Sequence, residues 1–177
     1  ALVEGGRLNA QRCIAFLTQT KDFLPDEFRT KLGNRLYGCD TCQQVCPRNK
    51  GIDSHIHPEF EPEHDLAKPK LEPMLRISNR SFKEKFGHMS GSWRGKKPLQ
   101  RNALIALGHY KDKTAIPEMI RVMKEDTRPV IRGTAAWALG KIGTVEAFRA
   151  IEAAMENEKD DQVLFEMEKG LEFKYKS

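Results

Sequence analysis

The sequence predicts a mainly α-helical protein in which a cysteine-containing segment is followed by a short helical solenoid. All four cysteines lie within the first 46 residues. A stretch containing proline and histidine follows, and from about residue 97 the chain is rich in Ala, Leu and Glu and repeats itself. These observations divide the chain into residues 1–50, 51–96 and 97–177.

Short helices joined by loops are predicted for the first segment. Asn9 can cap a helix that runs through Cys13 to about Thr18, because an Asn side chain accepts a hydrogen bond from a free N–H at a helix start. A second helix is expected from Pro25 to Gly33, with acidic residues in its first turn. Residues 40–45 predict a third.

The cysteine spacing indicates ligands of an iron–sulfur cluster. Residues 38–47 contain C-x2-C-x3-C-P, the end of the bacterial ferredoxin pattern C-x2-C-x2-C-x3-C-P. Two cysteines on a tight turn can reach two iron atoms, while the N–H groups of the turn stabilise the anionic cluster. Leu36 occupies the place of the first cysteine in that pattern, and an upstream cysteine is the natural substitute. The predicted metal ligands are Cys13, Cys39, Cys42 and Cys46.

Other roles remain open for these cysteines. Zinc also binds four thiolates, but usually as two close pairs, whereas this chain has one pair and two separate cysteines. A disulfide is disfavoured in a cytoplasmic chain, and Cys13 alone would also suit a buried thiol. His55, His57 and His64 are interpreted as loop residues rather than as ligands.

Positive charge is concentrated in residues 68–101, where 10 Lys or Arg face 2 Asp or Glu, although the whole chain carries only +5. Helices are predicted from Pro69 to about Ile77 and from Asn79 to about Phe86. The excess suits a polyanion such as RNA, and a solvated linker is the alternative. Trp93, beside Arg94, is interpreted as packing between two modules, with stacking on a base as the alternative.

The last segment repeats with an offset of 32 residues, so that Leu107-Gly108 recurs as Leu139-Gly140. Each unit predicts two antiparallel helices. The first is expected to end near the Leu-Gly pair, with glycine at the helix terminus, and the second to follow a polar turn, as at 111–114 or 143–144. A third partial copy ends in a polar cap. This pattern is typical of a solenoid built from short HEAT-like repeats.

Three stretches resemble the epoxyqueuosine reductase family: residues 6–19, 38–50 and 101–108. The resemblance implies a ferredoxin-like iron–sulfur segment followed by HEAT-like repeats. It also implies an enzyme that uses cobalamin and two [4Fe-4S] clusters to reduce epoxyqueuosine to queuosine in tRNA. This chain is then expected to be the C-terminal part of such an enzyme, inactive alone.

The resemblance also implies roles for single residues. Cys39 and Cys42 match paired ligands of one cluster with Cys13 as the third, and Cys46 matches a ligand of the other cluster. The remaining ligands, the cobalamin site and the catalytic residues are expected upstream, so no catalytic residue is assigned here. The basic residues expected to hold tRNA phosphates are Lys83, Lys85, Arg94, Lys96, Lys97 and Arg101.

Partners and location follow from the same resemblance and from hydropathy. We expect tRNA and an electron donor such as flavodoxin or ferredoxin as partners of a monomer. The chain has no run of about 18 apolar residues and no apolar N-terminal signal, which favours a cytoplasmic protein without a membrane partner. The alternative function is a non-catalytic HEAT-repeat interaction protein with a structural metal site. Another corrinoid iron–sulfur enzyme, such as a reductive dehalogenase, is disfavoured by the repeats.

Overall fold

The computed structural model of the protein describes residues 1–52 and 57–175. Within these ranges the regular structure is helical, and a single isolated bridge between Leu2 and Leu8 is the one β-type pairing. The predicted mainly α-helical fold is therefore confirmed. His55, interpreted above as a loop residue, and the last two residues of the predicted cap lie outside the described part of the chain.

Short helices precede the solenoid and longer helices build it. In chain order they are α1 (Ile14–Leu17), α2 (Asp26–Leu32), α3 (Thr41–Gln44), α4 (His64–Ala67), α5 (Leu71–Leu75), α6 (Asn79–Phe86), α7 (Lys96–Tyr110), α8 (Ile116–Glu125), α9 (Pro129–Ile142), α10 (Val145–Met155) and α11 (Asp161–Glu172). No helix in the described ranges is long and apolar enough to cross a lipid bilayer.

The helix expected to run through Cys13 is interrupted at that residue. Asn9 does cap, but only a short 3-10 turn over Ala10–Arg12, where its side chain accepts from Gln11 N at 3.1 Å. Cys13 then takes extended backbone angles, φ −77° and ψ 125°, before α1 begins. The prediction of one continuous helix was therefore wrong, and Cys13 lies at a bend between two short elements.

The solenoid has two layers, with α7, α9 and α11 in one and α8 and α10 in the other. Polar side chains start the helices as the repeat pattern requires. Asp112 accepts from Thr114 N at 2.9 Å before α8, Thr144 accepts from Ala147 N at 3.2 Å at α10, and Asp160 caps α11. α9 is buried nearly all round because it lies between two neighbours of the same layer.

The Leu-Gly pairs lie inside helices, which corrects their predicted place at the helix ends. α7 continues to Tyr110 and α9 to Ile142. An added Cβ at Gly108 would stand 3.1 Å from the Cα of Ala138, and one at Gly140 would stand 2.1 Å from the carbonyl oxygen of Gly170. These glycines are thus needed for close approach of helix backbones rather than for terminating a helix.

The segments before the solenoid pack onto its first helix. α5, shorter than the helix predicted for residues 69–77, lies against α7, where Gln100 Nε2 donates to the carbonyls of Met74 and Leu75 at 3.2 and 2.8 Å. α2 packs on α7 from another side. Buried residues of all these segments form one continuous hydrophobic core, so the solenoid serves as the scaffold for the cysteine loops.

Candidate iron–sulfur centre and nucleic-acid interface

The four cysteines are free and lie on short turns of the first segment. Cys13, Cys39 and Cys46 are half-buried, while Cys42 in α3 is exposed. Three of them are placed by local backbone bonds: Leu17 N donates to the Cys13 carbonyl at 2.9 Å, Cys46 N donates to the Gln43 carbonyl at 3.2 Å, and Cys42 belongs to a helical turn. Cys13 and Cys46 therefore stand beside hydrogen-bonded turns, Cys42 lies in α3, and all four cysteines are at least partly accessible.

Cys39 has surroundings that favour its thiolate form. Its sulfur lies 3.3 Å from the hydroxyl oxygen of Thr41, and that oxygen accepts a hydrogen bond from Arg35 Nη2 at 2.8 Å. Partial burial opposes ionisation, but the hydrogen bonds with Thr41 and the nearby Arg35 charge outweigh it and lower the pKa of the Cys39 thiol. A thiolate is the form of cysteine that binds metal.

The turn before α1, which carries Cys13, is attached to α2 by the neighbouring residue Arg12. The Arg12 guanidinium makes a two-pronged ion pair with Glu27 at 2.7 and 3.2 Å and lies over the ring of Phe28 at 5.0 Å. The hydrogen bond from Arg12 lowers the pKa of Glu27, so this carboxylate stays charged. The pair joins the turn that carries Cys13 to α2.

Asn102 in α7 holds both cysteine-bearing segments together. Its Nδ2 donates to the carbonyls of Thr18 and Leu36, each at 2.8 Å. The Thr18 hydroxyl in turn accepts from Gly38 N at 3.0 Å, directly before Cys39. One buried amide of the solenoid therefore fixes the chain after α1 and the chain entering the cysteine turn.

Arg101, beside Asn102, is buried, which corrects its predicted role as a phosphate contact. Only 1 % of the residue is exposed. Its guanidinium donates to the carbonyls of Leu17, Thr20 and Asp22 at 2.7 to 2.9 Å and to the side chain of Asn102. Burial, with Arg29 nearby, lowers the pKa of Arg101 to about 10, so it remains charged at neutral pH. It holds the loop after α1 and does not face solvent.

A second buried arginine connects the cysteine segment to the last repeat. Arg29 of α2 pairs with Glu166 of α11 through two contacts of 2.6 and 2.8 Å, with both side chains at most 5 % exposed. The guanidinium also lies over the ring of Trp137 in α9 at 5.0 Å. Lys169 extends the network by pairing with Asp26 and Glu166.

The donor set fits iron–sulfur clusters in its chemistry. Four free thiols lie in the first segment, and thiolates are the usual ligands of such clusters. In the described ranges no three His, Cys, Asp or Glu side chains converge on a point where one metal ion would bind. Thiolates around a cubane bind different irons and stand apart, so a cluster does not need such convergence.

The basic residues have more varied environments than the sequence suggests. Lys83 and Lys85 are exposed in the last turn of α6, whereas Lys97 is half-buried. Lys96 Nζ donates to the Ile77 carbonyl at 2.6 Å, and burial together with the nearby Arg128 charge lowers the pKa of Lys96. Exposed positive charge therefore lies at the end of α6.

Trp93 is 69 % exposed, contrary to the favoured interpretation as a packed residue. It lies in a 3-10 turn between α6 and α7, and the Arg94 guanidinium carbon lies 4.1 Å from its ring centroid. Arg94, a predicted phosphate contact, is thus half-buried against an aromatic ring. Both residues stand where the basic segment meets the solenoid.

Sequence reasoning missed the residues that position the cysteines, above all Arg35, Thr41 and Asn102. A signal for Asn102 and Arg101 was present. They interrupt a stretch, Pro98–Gly108, that is otherwise apolar except for Gln100, and a polar group inside such a helix is expected to be buried and hydrogen-bonded. Nothing in the sequence indicated which backbone carbonyls Arg101 and Asn102 would bind.

Comparison with known proteins matches both halves of the chain to family models. A model described as "4Fe-4S double cluster binding domain" covers residues 1–49, and one described as "HEAT repeats" covers residues 95–172. Epoxyqueuosine reductase of Bacillus subtilis is 67 % identical over 172 residues, which are 97 % of this chain and 45 % of that protein. This chain belongs to the epoxyqueuosine reductase family.

Further matches agree with membership of the epoxyqueuosine reductase family. A protein of Geobacillus stearothermophilus named "Uncharacterized protein in gldA 3'region" is 66 % identical over 97 % of this chain and 80 % of its own length. A crystal structure of epoxyqueuosine reductase with a tRNA-Tyr epoxyqueuosine-modified stem loop superposes with a TM-score of 0.91 at 66 % identity, over 96 % of this chain and 45 % of that one. The chain therefore spans about half the length of the epoxyqueuosine reductases it matches.

Proposed function

We propose that this chain is the iron–sulfur and RNA-binding part of an epoxyqueuosine reductase, an oxidoreductase that reduces epoxyqueuosine to queuosine in tRNA. The observation that carries the proposal is the set of four free cysteines in a segment that α7 anchors through Arg101 and Asn102, which bind the chain after Cys13 and before Cys39. A bound [4Fe-4S] cluster would supply single-electron transfer. The protein would supply ligands, orientation and electrostatics.

The ligands divide between two clusters in this proposal. Cys13, Cys39 and Cys42 would bind one cluster and Cys46 the other. Two cubanes take about eight thiolates and this chain has 4 cysteines, so the remaining ligands would belong to the rest of the intact protein. The environment of Cys39, which favours its thiolate, suits this assignment.

RNA binding is proposed for the basic segment. The relative crystallised with a tRNA stem loop supports tRNA as the partner. Lys83 and Lys85 are exposed and Arg94 lies beside the exposed Trp93, so these groups are available for contacts with phosphates and bases. Lys97, which is half-buried, remains in the proposal as a contact at the start of α7, whereas the bond of Lys96 to the Ile77 carbonyl makes it a weaker candidate.

Further parts of the proposal come from the family alone. Cobalamin is the second cofactor, and we assign no residue of this chain to it. A flavodoxin or ferredoxin would donate the electrons to a monomeric protein in the cytoplasm, where tRNA is modified.

Iron and sulfide analysis tests the cluster assignment. The intact protein is purified without oxygen as wild type and as Cys13→Ser, Cys39→Ser, Cys42→Ser and Cys46→Ser, with exposed Thr30→Ala in α2 as control. We expect about eight iron atoms in the wild type and the control, and a loss of up to about half in each cysteine variant.

Electron paramagnetic resonance of the reduced proteins separates the two clusters. The first three cysteine variants should alter one signal in common, and Cys46→Ser should alter the other. A colourless wild-type protein with stoichiometric zinc would contradict the proposal and would instead favour the interaction protein with a structural metal site.

A further inference from the structure

The two tryptophans of the chain have opposite environments. Trp137 is buried in α9 with 6 % exposure, whereas Trp93 is 69 % exposed. A large aromatic surface left in water forgoes the stabilisation of burial, and tryptophan is the residue type most enriched at the centres of binding interfaces. The exposure of Trp93 is therefore a feature that folding of the described residues does not explain.

The turn that presents Trp93 is held by several hydrogen bonds. Ser92 N donates to the Met89 carbonyl at 3.0 Å, Ser92 Oγ donates to the Gly87 carbonyl at 3.0 Å, and Gly95 N donates to the Ser92 carbonyl at 2.9 Å. Gly91 lies so close to Tyr37 that an added Cβ would stand 2.2 Å from the ring. A fixed backbone reduces the entropy that Trp93 would lose on binding a ligand.

Arg94 adds a cation to the same surface. Its guanidinium carbon lies 4.1 Å from the Trp93 ring centroid, which is a cation–π contact. Sites for single-stranded nucleic acid combine aromatic rings that stack on bases with arginine and lysine near the backbone. Lys83 and Lys85 supply further charge in the last turn of α6, to which the turn is bonded through Gly87.

A similar pair of an exposed ring and a cation lies elsewhere in the chain, on a surface of different charge. Phe165 of α11 is 55 % exposed and lies 4.4 Å from Lys169 Nζ. Acidic residues surround it in the sequence, with Asp161 and Glu168 on the same helix, whereas residues 68–101 carry a large positive excess. Of these two pairs, the Trp93 pair combines an exposed ring with a surface suited to a polyanion.

We propose that Trp93, held by Arg94, stacks on an unpaired base of bound RNA. This inference rests on the proposed RNA-binding function and adds to it a contact that recognises loops rather than duplex. Phosphate contacts alone bind paired and unpaired RNA alike, whereas a stacking platform needs a base that is free of its helix.

Binding of two RNA probes to the intact protein tests the inference. The probes are an anticodon stem loop and a fully paired duplex of equal length, and the variants are Trp93→Ala, Trp93→Phe and the control Phe165→Ala. Trp93→Ala should weaken stem-loop binding about tenfold and leave duplex binding unchanged. Trp93→Phe should retain most of the affinity, and Phe165→Ala should equal the wild type with both probes.

Tryptophan fluorescence gives a second readout, because Trp93 is exposed and Trp137 is buried, and comparison with Trp93→Phe isolates the emission of Trp93. Acrylamide should quench Trp93 in the free protein, and stem-loop RNA should quench its emission and protect it from acrylamide. Trp93→Phe should remove this response.

The outcomes distinguish the inference from the function on which it rests. A wild-type protein that binds neither probe would contradict the proposed RNA binding itself. Equal stem-loop affinity of wild type and Trp93→Ala would overturn the stacking contact alone. Shielding of Trp93 from acrylamide before RNA is added would also overturn it, because the ring would then be packed against protein.

Discussion

Arg29 and Glu166 form a buried ion pair between residues that are 137 positions apart in the chain. Such a pair contributes little net stability compared with an apolar pair, because both charges lose their water. Removing one partner is costly, since the other buried charge then loses its two closest ionic contacts and keeps the more exposed Asp26 or Lys169 as a partner. The pair therefore specifies where α2 docks on α11, which sets the position of the cysteine segment.

Glu166→Ala should destabilise the protein by about 3–5 kcal/mol. The physical reason is that the Arg29 guanidinium, which is 2 % exposed, loses both contacts with Glu166 and keeps the more exposed Asp26 carboxylate, at 3.2 Å, as an ion-pair partner. Urea denaturation followed by circular dichroism measures the change, and Glu168→Ala, which removes an exposed carboxylate from the same helix, should change stability by less than about 0.5 kcal/mol. Equal effects of the two variants would show that the pair does not join the segments.

The surroundings of Glu158 predict that the free energy of unfolding decreases at acidic pH. Its carboxylate accepts from Arg132 at 2.7 and 2.9 Å and from Lys159 N and Asp160 N at 3.0 Å. The hydrogen bond from Arg132 is the main cause that lowers the pKa of Glu158 to about 2. A lowered pKa stabilises the fold above the unfolded-state value of about 4.3, and this stabilisation is lost as the pH falls toward 2.

Glu158→Gln should therefore cost about 1–3 kcal/mol at pH 7, and the difference from wild type should shrink as the pH falls from about 4.5 to about 2. Urea titrations at several pH values measure the difference directly. A difference that stays constant across this range would mean that the charge of Glu158 is not what stabilises the loop before α11.

Single residues differ in how far the sequence predicts them. The three cysteines of residues 38–47 could be proposed as ligands because their spacing is a local property of about ten residues, whereas Cys13 lies outside this pattern and was proposed as the one remaining cysteine and from the family resemblance. Arg101 was misassigned because its partners are carbonyls 79 to 84 residues away, and a charge count gives no information on such contacts. The role of Asn102 was missed for a similar reason, because its partners are backbone carbonyls that are 84 and 66 residues away.

Helix boundaries set by nearby residues could be predicted, as in α6, whereas features that depend on contacts between helices could not. α6 has the predicted bounds, Asn79–Phe86, because Ser78 caps its start through Ser81 N and apolar residues follow at helical spacing. The Leu-Gly pairs were misplaced because a glycine that ends a helix and one that admits a neighbouring helix look alike in one sequence. The structure distinguishes the two roles, because the backbone of α11 at Gly170 approaches Gly140 so closely that a side chain would not fit.

The two packing glycines predict a graded effect of adding one methyl group. Gly140→Ala should destabilise by about 3 kcal/mol or more, because its Cβ would meet the backbone of Gly170 at 2.1 Å and neither helix can yield locally. Gly108→Ala should have a much smaller effect, since its nearest atom is 3.1 Å away and the higher helix propensity of alanine offsets this tight contact. Thermal and urea unfolding test the order, and a larger effect at Gly108 would contradict it.

At the scale of the whole molecule, the distribution of charge limits the proposed binding of RNA. The positive excess in residues 68–101 is partly used internally, since Arg101 and Lys96 bond to protein carbonyls and Arg80 pairs with Glu84. The charge available to RNA is therefore smaller than the sequence total and lies nearer to the end of α6.

Lys83→Gln and Lys85→Gln should each reduce the salt dependence of RNA binding by about one unit in the slope of log affinity against log salt concentration. The reason is that each lysine displaces roughly one counterion from the phosphate backbone. Fluorescence anisotropy between about 50 and 200 mM salt measures the slope. Lys124→Gln, an exposed lysine of α8 outside the segment, is the control, and a slope unchanged in all three variants would exclude these contacts.

The central claim is that the cysteine turns, anchored on the first repeat helix, serve reduction of epoxyqueuosine in tRNA. The most direct measurement is nucleoside mass spectrometry of epoxyqueuosine-containing tRNA after anaerobic incubation with the intact, cluster-loaded protein and a reductant. We predict conversion to queuosine by the wild type and by Thr30→Ala, and none by a folded Cys39→Ser variant. Absence of conversion by the loaded wild type, or equal conversion by Cys39→Ser, would contradict the claim.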